Sequence, residues 1–287
     1  MRALILGICG QTGYYLAEQL LNAGHQVFGL VRQPKAWPLG ATLLRGDLLD
    51  QRSLERALIE AEPDEVYNLA AVTSPGGAWG RPNPPDLVDV TAAGVVRLLD
   101  AVVKVAPDAR VVHASSSAIY DPHRYGLYGI AKQFAHDAVT GYRSQGMHVS
   151  NAVLYSHTSP RQDPRFLAPT ICRKLRAIRD GGTEKLVLTD TLGCRDWGHA
   201  SDVAAALPLI ARHDTPGDYD VATSRTHSVG DFTDIALDAL GLSWRQAVDV
   251  IQGIPAPAEH PADPGPLREL GWKPATSFEA MVREMVA

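Results

Sequence analysis

The chain has 287 residues, 45% of them hydrophobic and 21% charged, with a formal net charge of −5; this suits one large α/β domain, or a core domain with a smaller appendage. The mild acidity gives no electrostatic footprint for nucleic acid or an anionic membrane, and no apolar run approaches the roughly 20 residues of a membrane span. Cys9, Cys172 and Cys194 are odd in number and far apart, so they suggest neither a disulfide framework nor a zinc site and point to a reducing cytoplasm.

The apolar run Ala3–Leu6 reads as a first buried strand rather than a signal peptide, and Thr12–Ala23 carries apolar residues at helical spacing. Between them lies Gly7-Ile8-Cys9-Gly10-Gln11-Thr12-Gly13. A glycine loop before a helix lets a phosphate approach unpaired backbone N–H groups closely. Gly7, Gly10, Gln11, Thr12 and Gly13 are therefore candidates for a dinucleotide pyrophosphate. Gln26–Val31 predicts a second strand. The acid that would hold a ribose hydroxyl is missing at its end, where Arg32 stands. A cation there suits a 2′-phosphate and favours NADP over NAD, the plain alternative being a surface charge. Thr42–Leu44 is a weak third strand. Asp47 either holds the adenine edge or caps the next helix, Ser53–Glu60.

Glu65–Leu69 predicts a strand, Val88–Val105 a long amphipathic helix, and Arg110–Ala114 a strand that runs into Ser115-Ser116-Ser117-Ala118. Tyr128–Ser144 predicts a helix and His148–Leu154 a strand. Tyr128 and Lys132 stand four residues apart, which puts both on one helical face. This strand–helix alternation predicts an α/β fold: a Rossmann-type, doubly wound parallel sheet with helices on both faces. After Ser156 the pattern loosens and prolines gather. Helical segments at Phe166–Asp180, Ser201–His213, Val229–Leu240 and Ser277–Val286 suggest a small, mostly helical C-terminal part. The expected division is 1–155 for the dinucleotide and 156–287 mainly for substrate, with the first part free to recruit later segments.

Several motifs together resemble the extended short-chain dehydrogenase/reductase superfamily, and within it the GDP-mannose 4,6-dehydratases. They are the glycine loop continued through Tyr14-Tyr15-Leu16-Ala17-Glu18, Tyr67-Asn68-Leu69-Ala70-Ala71, His157-Thr158-Ser159-Pro160-Arg161, Arg195-Asp196-Trp197-Gly198-His199-Ala200 and Leu270-Gly271-Trp272-Lys273-Pro274. The resemblance covers nearly the whole chain, and the segment from Arg195 to Ala200 is its most specific motif. It implies a GDP-sugar substrate and adds Leu69, Ala70 and Ala71 to the cofactor side. It also implies that Tyr128 and Lys132 form the redox pair, the ammonium lowering the tyrosine pKa, with Ser116 bonding the same sugar hydroxyl. The unadorned reading of Ser116 is a strand-end serine bonding its own backbone. Substrate contacts implied in the same way are Thr73, Ser117, Ser156, His157, Arg161, Thr170 and Arg195, with Glu259 a substitute for an arginine on the guanine side. The resemblance also implies pairing of two copies through the helices at Val88–Val105 and Tyr128–Ser144.

The chain departs from that pattern at informative places. The dehydratases carry a glutamate two residues after the Thr or Ser, as acid/base for loss of water across C5 and C6; here Ala118 stands there. The stretch from Tyr120 to Tyr128 is shorter than the lid of the relatives, and Asp121, His123 and Arg124 crowd it. Gln33–Leu44 is shortened too, which favours a dimer over a tetramer. A methyl group carries no proton, and losing such a group costs about 10²–10⁴ in rate. The expectation is an enzyme that isomerises a GDP-hexose or GDP-6-deoxyhexose without dehydration, as a 4-epimerase or as a pyranose/furanose mutase. In the mutase a divalent ion on the pyrophosphate would assist, with no metal ligands assigned in the chain. Alternatives are an NADPH-dependent reductase of a 4-keto-6-deoxy sugar, a residual dehydratase, or a non-catalytic GDP-sugar-binding protein. His123, His157, His199 and Asp121 are further polar groups considered for the site, a structural or surface role being the plainer reading for each histidine.

Overall fold

The computed structural model describes residues 1–33, 37, 39–72, 84–251 and 259–287. Its first half follows the alternation: β1 (Arg2–Leu6), α1 (Gln11–Asn22), β2 (Gln26–Val31), β3 (Thr42–Arg45), α2 (Gln51–Ala61) and β4 (Glu65–Asn68). The long helix expected from Val88 is broken. A short α3 (Pro84–Val88) passes through a π-helical turn, Asp89–Ala93, into α4 (Gly94–Val105). Then come β5 (Arg110–Ser116), two 3₁₀ turns at Ser117–Tyr120 and Pro122–Tyr125, α5 (Gly126–Ser144) and β6 (Val149–Leu154). The second half holds β7 (His157–Thr158), α6 (Leu167–Arg179), β8 (Leu186–Leu188), β9 (Cys194–Asp196), β10 (Gly198–His199), α7 (Ala200–Arg212) and β11 (Asp218–Val221). It ends with β12 (Thr226–Ser228), α8 (Val229–Leu240), α9 (Trp244–Ala247), β13 (Val248–Val250), α10 (Gly265–Glu269) and α11 (Phe278–Val286).

Among the described residues seven strands form one parallel sheet in the order β3-β2-β1-β4-β5-β6-β11. Strand β1 is almost wholly apolar, as a strand covered on both faces must be. One face packs Leu16 and Leu20 of α1 against Val203, Leu207 and Ile210 of α7. The other packs Leu54 and Leu58 of α2, Leu98 and Val102 of α4, and Ala135 and Val139 of α5. This is the doubly wound arrangement.

A separate apolar cluster gathers Ile171 and Leu175 of α6, Phe232 of α8, and Val282 and Met285 of α11. The two cores interleave in sequence, because α7 and β11 return to the large sheet and Leu267 and Trp272 pack beneath it. Order reverses between β1 and β4, so the connections leaving their C-terminal ends part and open a crevice there. Ser116, at the C-terminal end of β5, lies on the same edge.

Candidate functional site

The glycine loop lies at that edge. Gly7 has φ +81°, and a Cβ there would stand 2.8 Å from the Leu69 carbonyl carbon and 2.9 Å from the Ala70 nitrogen, so the loop and the end of β4 need a glycine to approach. Gly10 differs, since a Cβ would meet only the Gly7 carbonyl, at 3.4 Å, and φ is −75°. The protein's own packing does not call for glycine at that position. Gly10 is the N-cap of α1, without a capping side chain and with no acid in the first turn. Unshielded N–H groups, the positive end of a helix dipole and space where a side chain would stand suit a dinucleotide pyrophosphate. Beside the loop, Leu69 donates its N–H to the Leu6 carbonyl (2.9 Å), Ala70 donates to Asn68 Oδ1 (3.3 Å), and Ala71 follows, partly buried.

Three of the expected cofactor-side residues have side-chain partners within the protein. The side chains of Gln11 and Thr12 tie α1 to the β7 segment: Gln11 Nε2 donates to the His157 carbonyl (3.2 Å), and Thr12 Oγ1 meets His157 Nε2 (3.0 Å). Their backbone N–H groups, in the first turn of α1, are the part left for a phosphate. Asp47 caps no helix. Its carboxylate accepts the Leu49 N–H (3.0 Å), while Asp50 caps α2 by accepting from Arg52 and Ser53. Arg32 is exposed just past β2.

The three serines after β5 do three different things. Ser115 Oγ turns to His136 Nδ1 (3.1 Å). Ser116 Oγ accepts the Ala118 N–H (3.3 Å), the backbone role expected of a strand-end serine, and it lies near enough to the Tyr128 hydroxyl to lower its pKa. Ser117 Oγ donates to Glu259 Oε1 (3.4 Å). Ala118, in the turn that follows, is 2% exposed.

On α5 the Tyr128 hydroxyl therefore meets Ser116. One turn on, Lys132, 4% exposed, donates from Nζ to the Ala114 carbonyl at 2.8 Å. Burial lowers the Lys132 pKa from 10.5 to about 8. Burial also raises Tyr128 above 10, against the Ser116 hydrogen bond and with a small push from Tyr125. The lowering of Tyr128 expected from Lys132 is thus not supplied by the protein's own charges. The short connection is seated on α5 at Gly129, where a Cβ would stand 2.2 Å from the Pro122 carbonyl oxygen.

A second cluster adjoins this pair. Ser156 Oγ donates to Glu259 Oε1 (2.7 Å), and the Asp196 N–H donates to Oε2 (2.8 Å). Burial raises the Glu259 pKa, opposed by these two donors and by the charge of Arg195. Glu259 was expected on the guanine side; the structure joins it to Ser117 and Ser156. Its segment is held by Asp220, which accepts from the Tyr120 hydroxyl (2.6 Å), the Tyr155 hydroxyl (3.4 Å) and the Asp263 N–H (2.9 Å).

Other expected substrate-side residues have partners within the protein. His157 Nδ1–H donates to the Tyr155 carbonyl (2.8 Å) and Nε2 accepts from Thr12, so both ring nitrogens are committed and burial lowers its pKa. The Arg161 guanidinium lies 3.3 Å from the Tyr14 ring centroid, stacked on α1. Thr170 donates its hydroxyl to the Pro164 carbonyl (3.1 Å). His199 caps α7 and its Nε2 pairs with Glu284 (3.2 Å). Asp121 and His123 are not drawn into the cluster: both are exposed on the short connection. Thr73 lies outside the described residues. The convergence of Glu259 with Ser117, Ser156 and the Asp196 amide, and the anchor at Asp220, had no signal in sequence spacing.

A doubly wound sheet, a glycine loop at the switch point and a Ser–Tyr–Lys constellation beside it define the extended short-chain dehydrogenase/reductase class. Residues 4–285 match the family model described as GDP-mannose 4,6 dehydratase. The chain is 34% identical over 320 positions to GDP-mannose 4,6 dehydratase 2 of Arabidopsis thaliana, covering 99% of this chain and 85% of that protein. It is 30% identical to the Homo sapiens GDP-mannose 4,6 dehydratase, covering 99% and 90%. Among solved structures, the Thermus thermophilus UDP-glucose 4-epimerase complex with NAD superposes with a TM-score of 0.84 at 25% identity, over 100% of this chain and 98% of that one. The chain belongs to the GDP-mannose 4,6-dehydratase family. Aligned stretches longer than its 287 residues mean that these relatives carry segments this chain lacks.

Proposed function

We propose that the protein isomerises a GDP-linked hexose or 6-deoxyhexose without removing water, with a 4-epimerase as the leading form and a pyranose/furanose mutase as the other. The observation that supports the reading is the β5 end: Ser116 lies near the Tyr128 hydroxyl of α5, while position 118 is a buried methyl. Ser116 orients the C4 hydroxyl and Tyr128 takes its proton. Lys132, beside the Ala114 carbonyl, keeps an ammonium close to the pair. A dinucleotide held by the backbone of Gly7–Gly13, beside Leu69–Ala71, supplies hydride acceptance and return. Arg32 at the ribose end favours NADP. Arg195 and the hydroxyls of Ser117 and Ser156 contribute to the sugar-nucleotide side.

An exposed apolar stripe on α5, made of Leu127 (41%), Ile130 (46%) and Phe134 (53%), supports pairing of two copies across this helix. The test is incubation with GDP-mannose, GDP-fucose and GDP-rhamnose, each with and without NADP(H) and a divalent metal. A product of unchanged mass, abolished by Tyr128→Phe, is expected; a 4-keto-6-deoxy product from GDP-mannose overturns the reading. NADPH consumption on a 4-keto sugar selects a reductase instead.

A further inference from the structure

Glu259 is far from the glycine loop in sequence, yet its carboxylate is hydrogen-bonded to Ser117, the residue next to Ser116 at the end of β5. Oε1 accepts from Ser156 (2.7 Å) and from Ser117 (3.4 Å), the residue directly after Ser116, and Oε2 accepts the Asp196 N–H (2.8 Å). The backbone around it is fastened. Tyr155 donates to the Pro261 carbonyl (3.4 Å), His260 stacks on Tyr120 with centroids 4.3 Å apart, and the Asp263 N–H reaches Asp220. The carboxylate is therefore delivered to one place, partly buried and next to the residue that precedes the methyl of Ala118.

We propose that Glu259 is the carbon-acid base of this site: it removes the proton from the carbon next to a C4 ketone of the bound GDP-sugar and returns it. The inference rests on the Proposed function only in taking a GDP-sugar with C4 at the Ser116–Tyr128 pair. In the forward step the C–H bond breaks and the proton joins a Glu259 oxygen. The C–H electron pair becomes the C–C π bond, and the carbonyl π pair moves to O4 as an enolate. Reversal restores the ketone with no other reactant, and between the two steps the carboxyl proton exchanges with solvent. An enolate flanked by a C6 hydroxyl would expel water. The non-dehydrating reading therefore fits a 6-deoxyhexose, which has no leaving group at C6.

The groups facing Glu259 set its titration. Burial and the Asp196 carboxylate raise it; Ser156, the Asp196 N–H and Arg195 lower it. Tyr125 and Tyr155 also feel its charge. The net effect is upward, toward the range in which a general base works well near neutral pH.

The experiment uses a GDP-4-keto-6-deoxyhexose in D₂O with the full chain and no added dinucleotide, following deuterium at C3 and C5 by NMR and mass. Wild type is expected to exchange about 10²-fold or more faster than the protein-free solution. The rate should rise with pH through a limb above the usual carboxylate range. Glu259→Gln should bring exchange down to the protein-free rate, and Glu259→Asp should restore part of it. Ser156→Ala, which keeps the carboxylate but removes a donor, should move the limb to higher pH, and it serves if the Gln variant does not fold. Exchange by wild type no faster than without protein, a Gln variant as fast as wild type, or an unmoved limb in Ser156→Ala overturns the proposal. Loss of activity in Tyr128→Phe on GDP-hexoses bears on the Proposed function alone.

Discussion

Lys132→Met should stabilise the protein while removing its turnover. Lys132 is 4% exposed, and burial lowers its pKa from 10.5 to about 8. At about 1.4 kcal/mol per pH unit, holding its charge at neutral pH costs about 3 kcal/mol relative to the unfolded chain. Methionine fills a similar volume without a charge but loses the charge-assisted hydrogen bond to the Ala114 carbonyl, worth about 2 kcal/mol, so the net gain is about 1 kcal/mol. For a chain of this size that is roughly 2 °C in Tm. The pH dependence identifies the cause. Between about 8 and 10.5 the unfolded chain binds a proton that the folded one does not, so wild-type stability from this group rises with pH through that window and is lost as pH falls through about 8. The Met variant should therefore lead below pH 8, and its lead should vanish toward pH 10.5. Thermal melts from pH 6 to 10 measure this. A variant less stable than wild type at pH 7, or a difference that does not change with pH, would refute the reasoning.

Further outcomes follow from the same geometry. Ser116→Ala removes the partner of the Tyr128 hydroxyl and should lower kcat by about 10–10² with little change in KM, read from steady-state kinetics. Gly10→Val should abolish dinucleotide binding in calorimetry while moving Tm by less than about 2 °C, because only the Gly7 carbonyl lies near the new Cβ. Arg32→Glu should weaken NADP at least about 10-fold more than NAD, read by calorimetry with each cofactor. Phe134→Glu, placed in the exposed stripe of α5, should shift the protein from dimer to monomer in light scattering.

The parallel sheet was legible because strands such as β1 and β2 are short, mostly apolar runs between helical patterns, whereas β11, Asp-Tyr-Asp-Val, carries no such run. The Tyr128–Lys132 face was legible from their spacing alone. The π turn at Asp89–Ala93 was not, since its residues continue the helical pattern without a proline or glycine break. The small strands β7 to β10, β12 and β13 are two or three residues long, too short for a period to show. Within the site, His157 and Arg161 stood in a recognisable motif, yet the fold commits one to Thr12 and the Tyr155 carbonyl and the other to Tyr14. Glu259 illustrates the converse, because its partners lie 142 and 103 residues away at Ser117 and Ser156. No local pattern encodes such a convergence; it arises when the chain after β13 returns to the C-terminal ends of β5 and β6.

The central claim is the proposal that Ser116, Tyr128 and Lys132 work on a GDP-sugar without elimination. It is tested most directly by mass spectrometry of the nucleotide sugars after incubation with NADP and GDP-mannose, GDP-fucose or GDP-rhamnose. The account predicts a new isomer of unchanged mass from at least one of them, absent with Tyr128→Phe. A product lighter by one water would contradict it.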